Sequence, residues 1–233
     1  KRQTRDAVDV QVCFGDRTFT AIDTAGIRKK RRVAASVEFY SQQRAFESIR
    51  RADVVLFLVD ATRTVSQVDK KIADAVITSR KPCVIVINKW DLAGDIEPQR
   101  YLDYIAHRLP LMHYVPMVFV SAQERTRLRE MVDVAFDLHD QARHRVPTPE
   151  LNRVIGEAAA VRGPRVTRGK YPKVYFATQV GTEPPWFILF VNDPTLFRDD
   201  FRRFVENRLR RAFPFSEIPL RISFRKRESI MTR

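Results

Sequence analysis

The apolar positions of this chain follow two rhythms. Val8–Phe14 (VDVQVCF) and Arg17–Asp23 (RTFTAID) alternate imperfectly on either side of Gly15-Asp16, which predicts a β-hairpin. Ala52–Ala61 (ADVVLFLVDA), Cys83–Asn88 (CVIVIN) and Val115–Ala122 (VPMVFVSA) are continuous apolar runs, as expected of parallel strands covered on both faces. Helical spacing fills the intervals at Phe39–Arg51, Val65–Ser79, Gln99–Arg108 and Leu128–Arg145. Strand–helix alternation of this kind predicts an α/β fold, a mostly parallel sheet flanked by helices with right-handed crossovers.

The rhythm breaks at Val146–Glu150 (VPTPE), where two prolines cannot continue a helix. Thr148 is placed to cap a new helix with Pro149 at its first position. Beyond this point the predicted order is helix (Glu150–Val161), strand (Lys173–Gln179), strand (Trp186–Val191), helix (Thr195–Arg211) and strand (Leu220–Arg225). Gly181 and Pro184-Pro185 turn the first two strands back on each other. Such an αββαβ unit is a small α+β domain, so the expected domains are 1–147 and 148–233.

Composition then narrows the class. The 233 residues are 44% hydrophobic, enough for a buried core, and no apolar run approaches the roughly 18–20 residues of a membrane span. Lys1–Val8 has no apolar stretch of the secretory kind, and the expected compartment is cytoplasmic. Cys13 and Cys83 each sit in an apolar run and are expected as buried free thiols. Charge is the outlier: 42 Lys and Arg against 28 Asp and Glu give +14, which points to a polyanionic partner, nucleic acid first.

Chemistry gathers at strand ends, where α/β sheets bind ligands. Asp23-Thr24-Ala25-Gly26 follows a strand. A carboxylate there can hold a water on Mg²⁺, and a glycine three residues on brings its N–H close to a γ-phosphate. By itself Asp-x-x-Gly is a common turn. Asn88-Lys89-Trp90-Asp91 closes another strand. Asn88 can donate to and accept from a purine's O6/N7 edge, the Lys89 stem can lie over the base, and Asp91 can accept from N1–H and N2–H of guanine. Ser121-Ala122 closes a third strand, with a small residue that lets a backbone N–H reach O6. Three such pieces in this order point to a guanine-nucleotide fold. Thr4, in Gln3-Thr4-Arg5-Asp6 ahead of an edge strand, offers a hydroxyl to Mg²⁺.

DTAGIRKKRR, NKWD, the Thr-Arg-Asp lead-in and the helix–strand–strand–helix–strand tail together resemble the GTPase Der (EngA) family, over nearly the whole chain from Thr4 to about Arg225. RRADVVLFLVDA, PCVIVINKWDL, YFATQVGTEPPWFILFVN and RRFVENRLRRAF share in the resemblance. It implies the second of two tandem P-loop GTPase domains followed by a KH-like domain, acting in assembly of the large (50S) ribosomal subunit. By position it also implies Mg²⁺-water and γ-phosphate contacts for Asp23 and Gly26, guanine contacts for Asn88 and Asp91, and a switch role for Thr4. Thr24, Ala25, Ile27, Lys89, Trp90, Ser121 and Ala122 join them as nucleotide-binding candidates. GTP or GDP with Mg²⁺, K⁺ in place of an arginine finger, large-subunit rRNA, and an upstream first GTPase domain are the implied ligands and partners.

The departures count as much. Glycines stand only at 15, 26, 94, 156, 163, 169 and 181, so Gly-x-x-x-x-Gly-Lys-[Ser/Thr] does not occur in the chain. The family usually reads Pro-Gly-Thr-Thr-Arg-Asp where this chain has Lys1-Arg2-Gln3-Thr4-Arg5-Asp6, and the chain is expected to be part of a longer protein and inactive by itself. The same glycines exclude the Gly-x-x-Gly clamp of ordinary KH domains. Ile27 stands where many GTPases orient water with glutamine, so no catalytic residue is assigned. Arg28-Lys29-Lys30-Arg31-Arg32, and the cluster Arg162, Arg165, Arg168, Lys170 and Lys173, are expected phosphate or ribosome contacts, with few exposed aromatics to read bases. The competing expectation is a non-catalytic RNA- or protein-binding module that keeps a GTPase-like scaffold.

Overall fold

The computed structural model describes residues 9–22, 45–161 and 171–227. Two compact units form, Lys1–Ala135 and Phe136–Arg233.

The first unit opens with β1 (Val10–Phe14) and β2 (Arg17–Ala21), an antiparallel pair with Phe14 opposite Arg17. The connection is the predicted two-residue turn. Gly15 sits at φ +65 and Asp16 is not left-handed, the pattern in which glycine must take the first central position. Cys13 is exposed here, against expectation, because the alternation of β1 sends it outward with Gln11. Residues 45–51 are helical. Then come β3 (Val55–Asp60), α1 (Gln67–Ser79), β4 (Cys83–Asn88), α2 (Pro98–Arg108), β5 (Met117–Phe119) and α3 (Leu128–Arg143).

The sheet order is β3-β4-β5, every pair parallel, as an α/β reading requires. Phe57, Val59, Ile85, Ile87, Val76, Ile105 and Met112 belong to its main core cluster. β4 is the covered strand, with Cys83 through Ile87 all buried, and burial pushes the Cys83 thiol up to about 12. β3 departs from the expectation of cover on both faces: Phe57 and Val59 are buried while Leu58, between them, is 58% exposed. Among the described residues β3 pairs only with β4 and so stands at the edge of their sheet. β5 is shorter than its apolar run, because Ser121 leaves the ladder to bridge Thr126. Helix α1 begins at a capping box, Ser66 Oγ accepting from Asp69 N–H and Asp69 reaching back to Ser66.

The two units divide inside α3, ahead of the prolines. In its last turns Leu138 and Ala142 are buried, Ala142 O accepts from Glu183 N–H, and Gln141 bonds Glu217. The second unit continues with α4 (Thr148–Val161), β6 (Val174–Gly181), β7 (Trp186–Val191), α5 (Asp199–Ala212) and β8 (Arg221–Lys226). This is the predicted αββαβ order. Strand β7 is central, antiparallel to β6 and parallel to β8. Leu151, Val154, Ile155 and Ala158 of α4 and Phe201, Val205 and Leu209 of α5 are buried at helical spacing. Buried with them are Ala177, Phe187, Leu189 and Val191, all fully enclosed.

Asn152 fastens this unit. From α4 its Nδ2 donates to Ala177 O at 2.9 Å and to Thr148 O at 2.8 Å, and its Oδ1 accepts from Ala177 N–H at 2.8 Å. One side-chain amide thus occupies the outward backbone groups at the middle of edge strand β6, which blunts that edge against foreign strands. Gln179 does similar work at the strand's end, accepting from Val146 N–H and donating to His144 O. Among the described residues no helix is long and apolar enough to cross a membrane.

Candidate functional site

The parallel register sets Asp60 level with Asn88, so β3 and β4 end together at the carboxyl edge of the sheet. Just past this edge the chain must turn sharply. Lys89 adopts φ 62, a left-handed conformation costly for a residue with a Cβ. The turn is held by Asn88, whose Oδ1 accepts from Lys89 N–H at 2.8 Å. The same oxygen accepts from Ala122 N–H at 3.1 Å. Asn88 therefore ties the Asn-Lys-Trp-Asp turn to the Ser121-Ala122 turn, which bears directly on the predicted chemistry. Its acceptor is spent on backbone, and its amide N–H₂ is the part left to offer a purine. Likewise the Ala122 N–H, expected to face O6, is directed to Asn88.

Trp90 is a structural anchor in this arrangement. Its ring centroid lies 4.3 Å from Phe119 and 5.5 Å from Tyr101, and its backbone N–H donates to Val120 O at 3.1 Å. That packing fixes the short 3₁₀ turn Trp90–Leu92, on which Asp91 is exposed with its carboxylate outward. Ser121 is buried, and its Oγ accepts from Glu124 N–H at 3.1 Å, shaping the loop after β5.

Two residues not predicted from sequence complete the cluster. Asp60 Oδ2 receives Lys89 Nζ at 2.5 Å, and Oδ1 receives both Thr62 N–H at 3.0 Å and Thr62 Oγ at 2.7 Å. The Lys89 bond, then those of Thr62, hold the Asp60 carboxyl down at about 2. The Lys89 ammonium is thereby drawn along the sheet edge toward the neighbouring strand end. The signal that could have found Asp60 is the one used elsewhere: a polar residue ending an apolar strand.

The remaining predicted residues are Thr4, Asp23, Thr24, Ala25, Gly26, Ile27, Arg28, Lys29, Lys30, Arg31, Arg32, Arg162, Arg165, Arg168 and Lys170, and all lie outside the described residues. Lys173 is described, with its Nζ 5.3 Å from the Tyr175 ring centroid.

Comparison with known proteins defines the class first. A family model described as "50S ribosome-binding GTPase" matches residues 1–89, and one described as "KH-domain-like of EngA bacterial GTPase enzymes, C-terminal" matches residues 145–225. The chain is thus a GTPase-type module joined to a KH-like one. It is 41% identical over 226 residues to GTPase Der of Rippkaea orientalis, covering 95% of this chain and 50% of that protein. It is 36% identical over 225 residues to GTPase Der of Rhodopirellula baltica, covering 96% and 50%. The chain belongs to the GTPase Der (EngA) family, joining a GTPase module to the family's KH-like C-terminal domain. It spans about half the length of the curated relatives it matches. Among solved structures, a variant of Aquifex aeolicus Era bound to GDP and AlF₄⁻ superposes with a TM-score of 0.46 at 18% identity, covering 96% of this chain and 81% of that one.

Proposed function

We propose that this chain supplies the guanine-recognition and ribosome-docking parts of a GTP-hydrolysing protein. The observation that carries the proposal is the Asn88 side chain joining the turns that follow β4 and β5 at a level sheet edge. A base lying along that edge meets the Asn88 amide N–H₂ as donor and the outward Asp91 carboxylate as acceptor. Guanine presents N1–H and N2–H to such an acceptor, and adenine does not. Lys89, steered by Asp60, lies beside the base rather than in free solution. Thr24, Ala25 and Ile27 are proposed to flank the phosphates.

Mg²⁺, held by Thr4 and by Asp23 through water, and K⁺ belong to this proposal. Their assigned protein positions lie outside the described residues, and among the described residues no group of three His, Cys, Asp or Glu comes together to hold a metal. Hydrolysis further requires a phosphate-cradling loop, for which the chain has no Gly-x-x-x-x-Gly-Lys-[Ser/Thr]. In the full-length protein, with an upstream first GTPase domain, the cycle would run between GTP and GDP. It would set whether Arg28–Arg32 and the 162–173 cluster engage rRNA during late assembly of the large (50S) ribosomal subunit, in the cytoplasm.

The name of the matching family and the charge of +14 support that partner. From Thr148 onward 17 Lys and Arg face 9 Asp and Glu, so the KH-like domain carries the larger share of the excess. The test is equilibrium dialysis of the full-length protein with labelled GDP, competed by GTP, ATP and XTP. Guanine nucleotides should displace the label at least a hundredfold more effectively than ATP. Equal displacement by ATP would remove the guanine assignment.

A further inference from the structure

The sheet of the second unit has one face against its helices and a second on which Ile188 is buried while Phe176 and Arg225 are exposed. Alternation along β6, β7 and β8 assigns the residues: Ala177, Phe187, Leu189 and Ile222 are buried, so their neighbours Phe176, Phe190, Ser223 and Arg225 lie on the other face. Aromatic rings and cations interleave there. Phe176 stacks on Phe190 with centroids 4.4 Å apart and planes 16° from parallel. Tyr175 is the extra residue of a bulge between Val174 and Phe176, and its ring stands between two cations, Lys173 Nζ at 5.3 Å and Arg227 Cζ at 5.1 Å. The Arg221 guanidinium lies 3.8 Å over the Trp186 ring, whose Nε1–H donates to Ser223 Oγ. Tyr175 and Phe176 remain 39% and 41% exposed. The expectation of few exposed aromatics was therefore wrong for this face, since a bulge and a register cannot be read from composition.

We infer that this aromatic and cationic face of the β6-β7-β8 sheet binds single-stranded RNA, its rings stacking on bases and its cations meeting phosphates. None of these residues belongs to the nucleotide site. Charge decides the class of occupant. Strands β6, β7 and β8 contain no Asp or Glu, while β8 contributes Arg221 and Arg225 to this face. Covering those guanidinium groups with an apolar protein surface would strip their water without return, whereas a nucleic acid brings phosphates. A protein strand added to the β6 edge is also disfavoured, because Asn152 already occupies both backbone groups of Ala177. Unpaired bases suit exposed rings, and base–aromatic stacking tolerates any sequence, in keeping with a domain that has no Gly-x-x-Gly clamp.

The test is fluorescence anisotropy of the 233-residue chain with a labelled, unstructured RNA 10-mer over a salt series. Tyr175→Ala and Phe176→Ala should each weaken binding roughly tenfold without changing the salt slope. Arg225→Gln with Arg227→Gln should flatten that slope. Phe176→Leu keeps apolar bulk but lacks the ring, and it should lose affinity nearly as Phe176→Ala does. It thus answers the question even if the alanine variant fails to fold. Duplex RNA of equal length should bind at least tenfold more weakly. A DNA 10-mer of the same sequence should bind more weakly than the RNA. Affinity unchanged in Tyr175→Ala and Phe176→Leu would overturn the stacking site, and equal binding of that DNA would overturn the assignment to RNA. Guanine-nucleotide affinity should not move in any of these variants, so failure here stays separate from failure of the nucleotide site.

Discussion

Replacing Asn152 by alanine removes three hydrogen bonds at once, two of them to the same buried residue. Each such bond contributes about 1 kcal/mol net, and a buried group left without a partner costs a further 1–3 kcal/mol. Ala177 N–H and C=O lie on an edge strand where water regains part of that loss, so the expected total is about 2–3 kcal/mol. For a unit of this size, with a urea dependence near 1.2 kcal/mol per molar, the midpoint should fall by roughly 2 M. Urea titration followed by circular dichroism at 222 nm measures this directly. Hydrogen exchange of the β6 peptide should show the Ala177 amide losing protection. Asn152→Asp keeps the acceptor for Ala177 N–H but sets a carboxylate oxygen against two carbonyls, so it should be no more stable than the alanine variant. A midpoint shift under about 0.4 M for Asn152→Ala would refute the claim that this amide closes the edge of β6.

Other expectations follow from the site and the charge. Asp60→Asn should destabilise the first unit by about 1 kcal/mol at neutral pH, allowing for solvent screening of a pair whose carboxylate is 25% exposed. Because the folded carboxyl is held at about 2, that stability is complete above the ordinary value near 4 and fades as pH falls toward 2. Thermal melts of wild type and variant should converge over that window, and a constant gap would contradict the ion-pair origin. Neutralising Arg162, Arg165, Arg168, Lys170 and Lys173 should weaken co-sedimentation with large ribosomal subunits and flatten its salt dependence. An unchanged salt slope would make that cluster a solvated face. The 233-residue chain alone should show no measurable GTP turnover in a phosphate-release assay, and turnover by a preparation confirmed by mass would overturn the account of what hydrolysis needs.

Much of this fold was legible because its strands are long apolar runs with polar ends. Cys83–Asn88 and Trp186–Val191 form strands with the boundaries expected of them, each being the covered centre of its sheet. Edge strands were harder. Leu58 reads as core by composition, yet it is exposed because cover depends on what lies beside β3, which one strand's sequence does not state. β5 was overextended because Ser121 prefers its bridge to Thr126. The site divides in the same way. Asn88, Asp91 and Ser121-Ala122 were visible as residue types at strand ends. The bond from Ala122 to Asn88, the packing of Trp90 and the whole role of Asp60 arise from register between parallel strands far apart in sequence. The aromatic face was missed for a related reason: its rings come from strands β6 and β7, one of them turned outward by a bulge.

The central claim is that the turn closing β4 recognises guanine through Asp91. Asp91→Asn exchanges an acceptor pair for one acceptor and one donor, which suits the xanthine edge instead. The decisive measurement is competition between GTP and XTP for the full-length protein and its Asp91→Asn variant. Losing the bidentate pairing should cost about 2–4 kcal/mol in GTP affinity, roughly thirty- to a thousandfold, while XTP affinity rises. An unchanged ratio of GTP to XTP affinity in the variant would contradict the assignment of this turn as the guanine site.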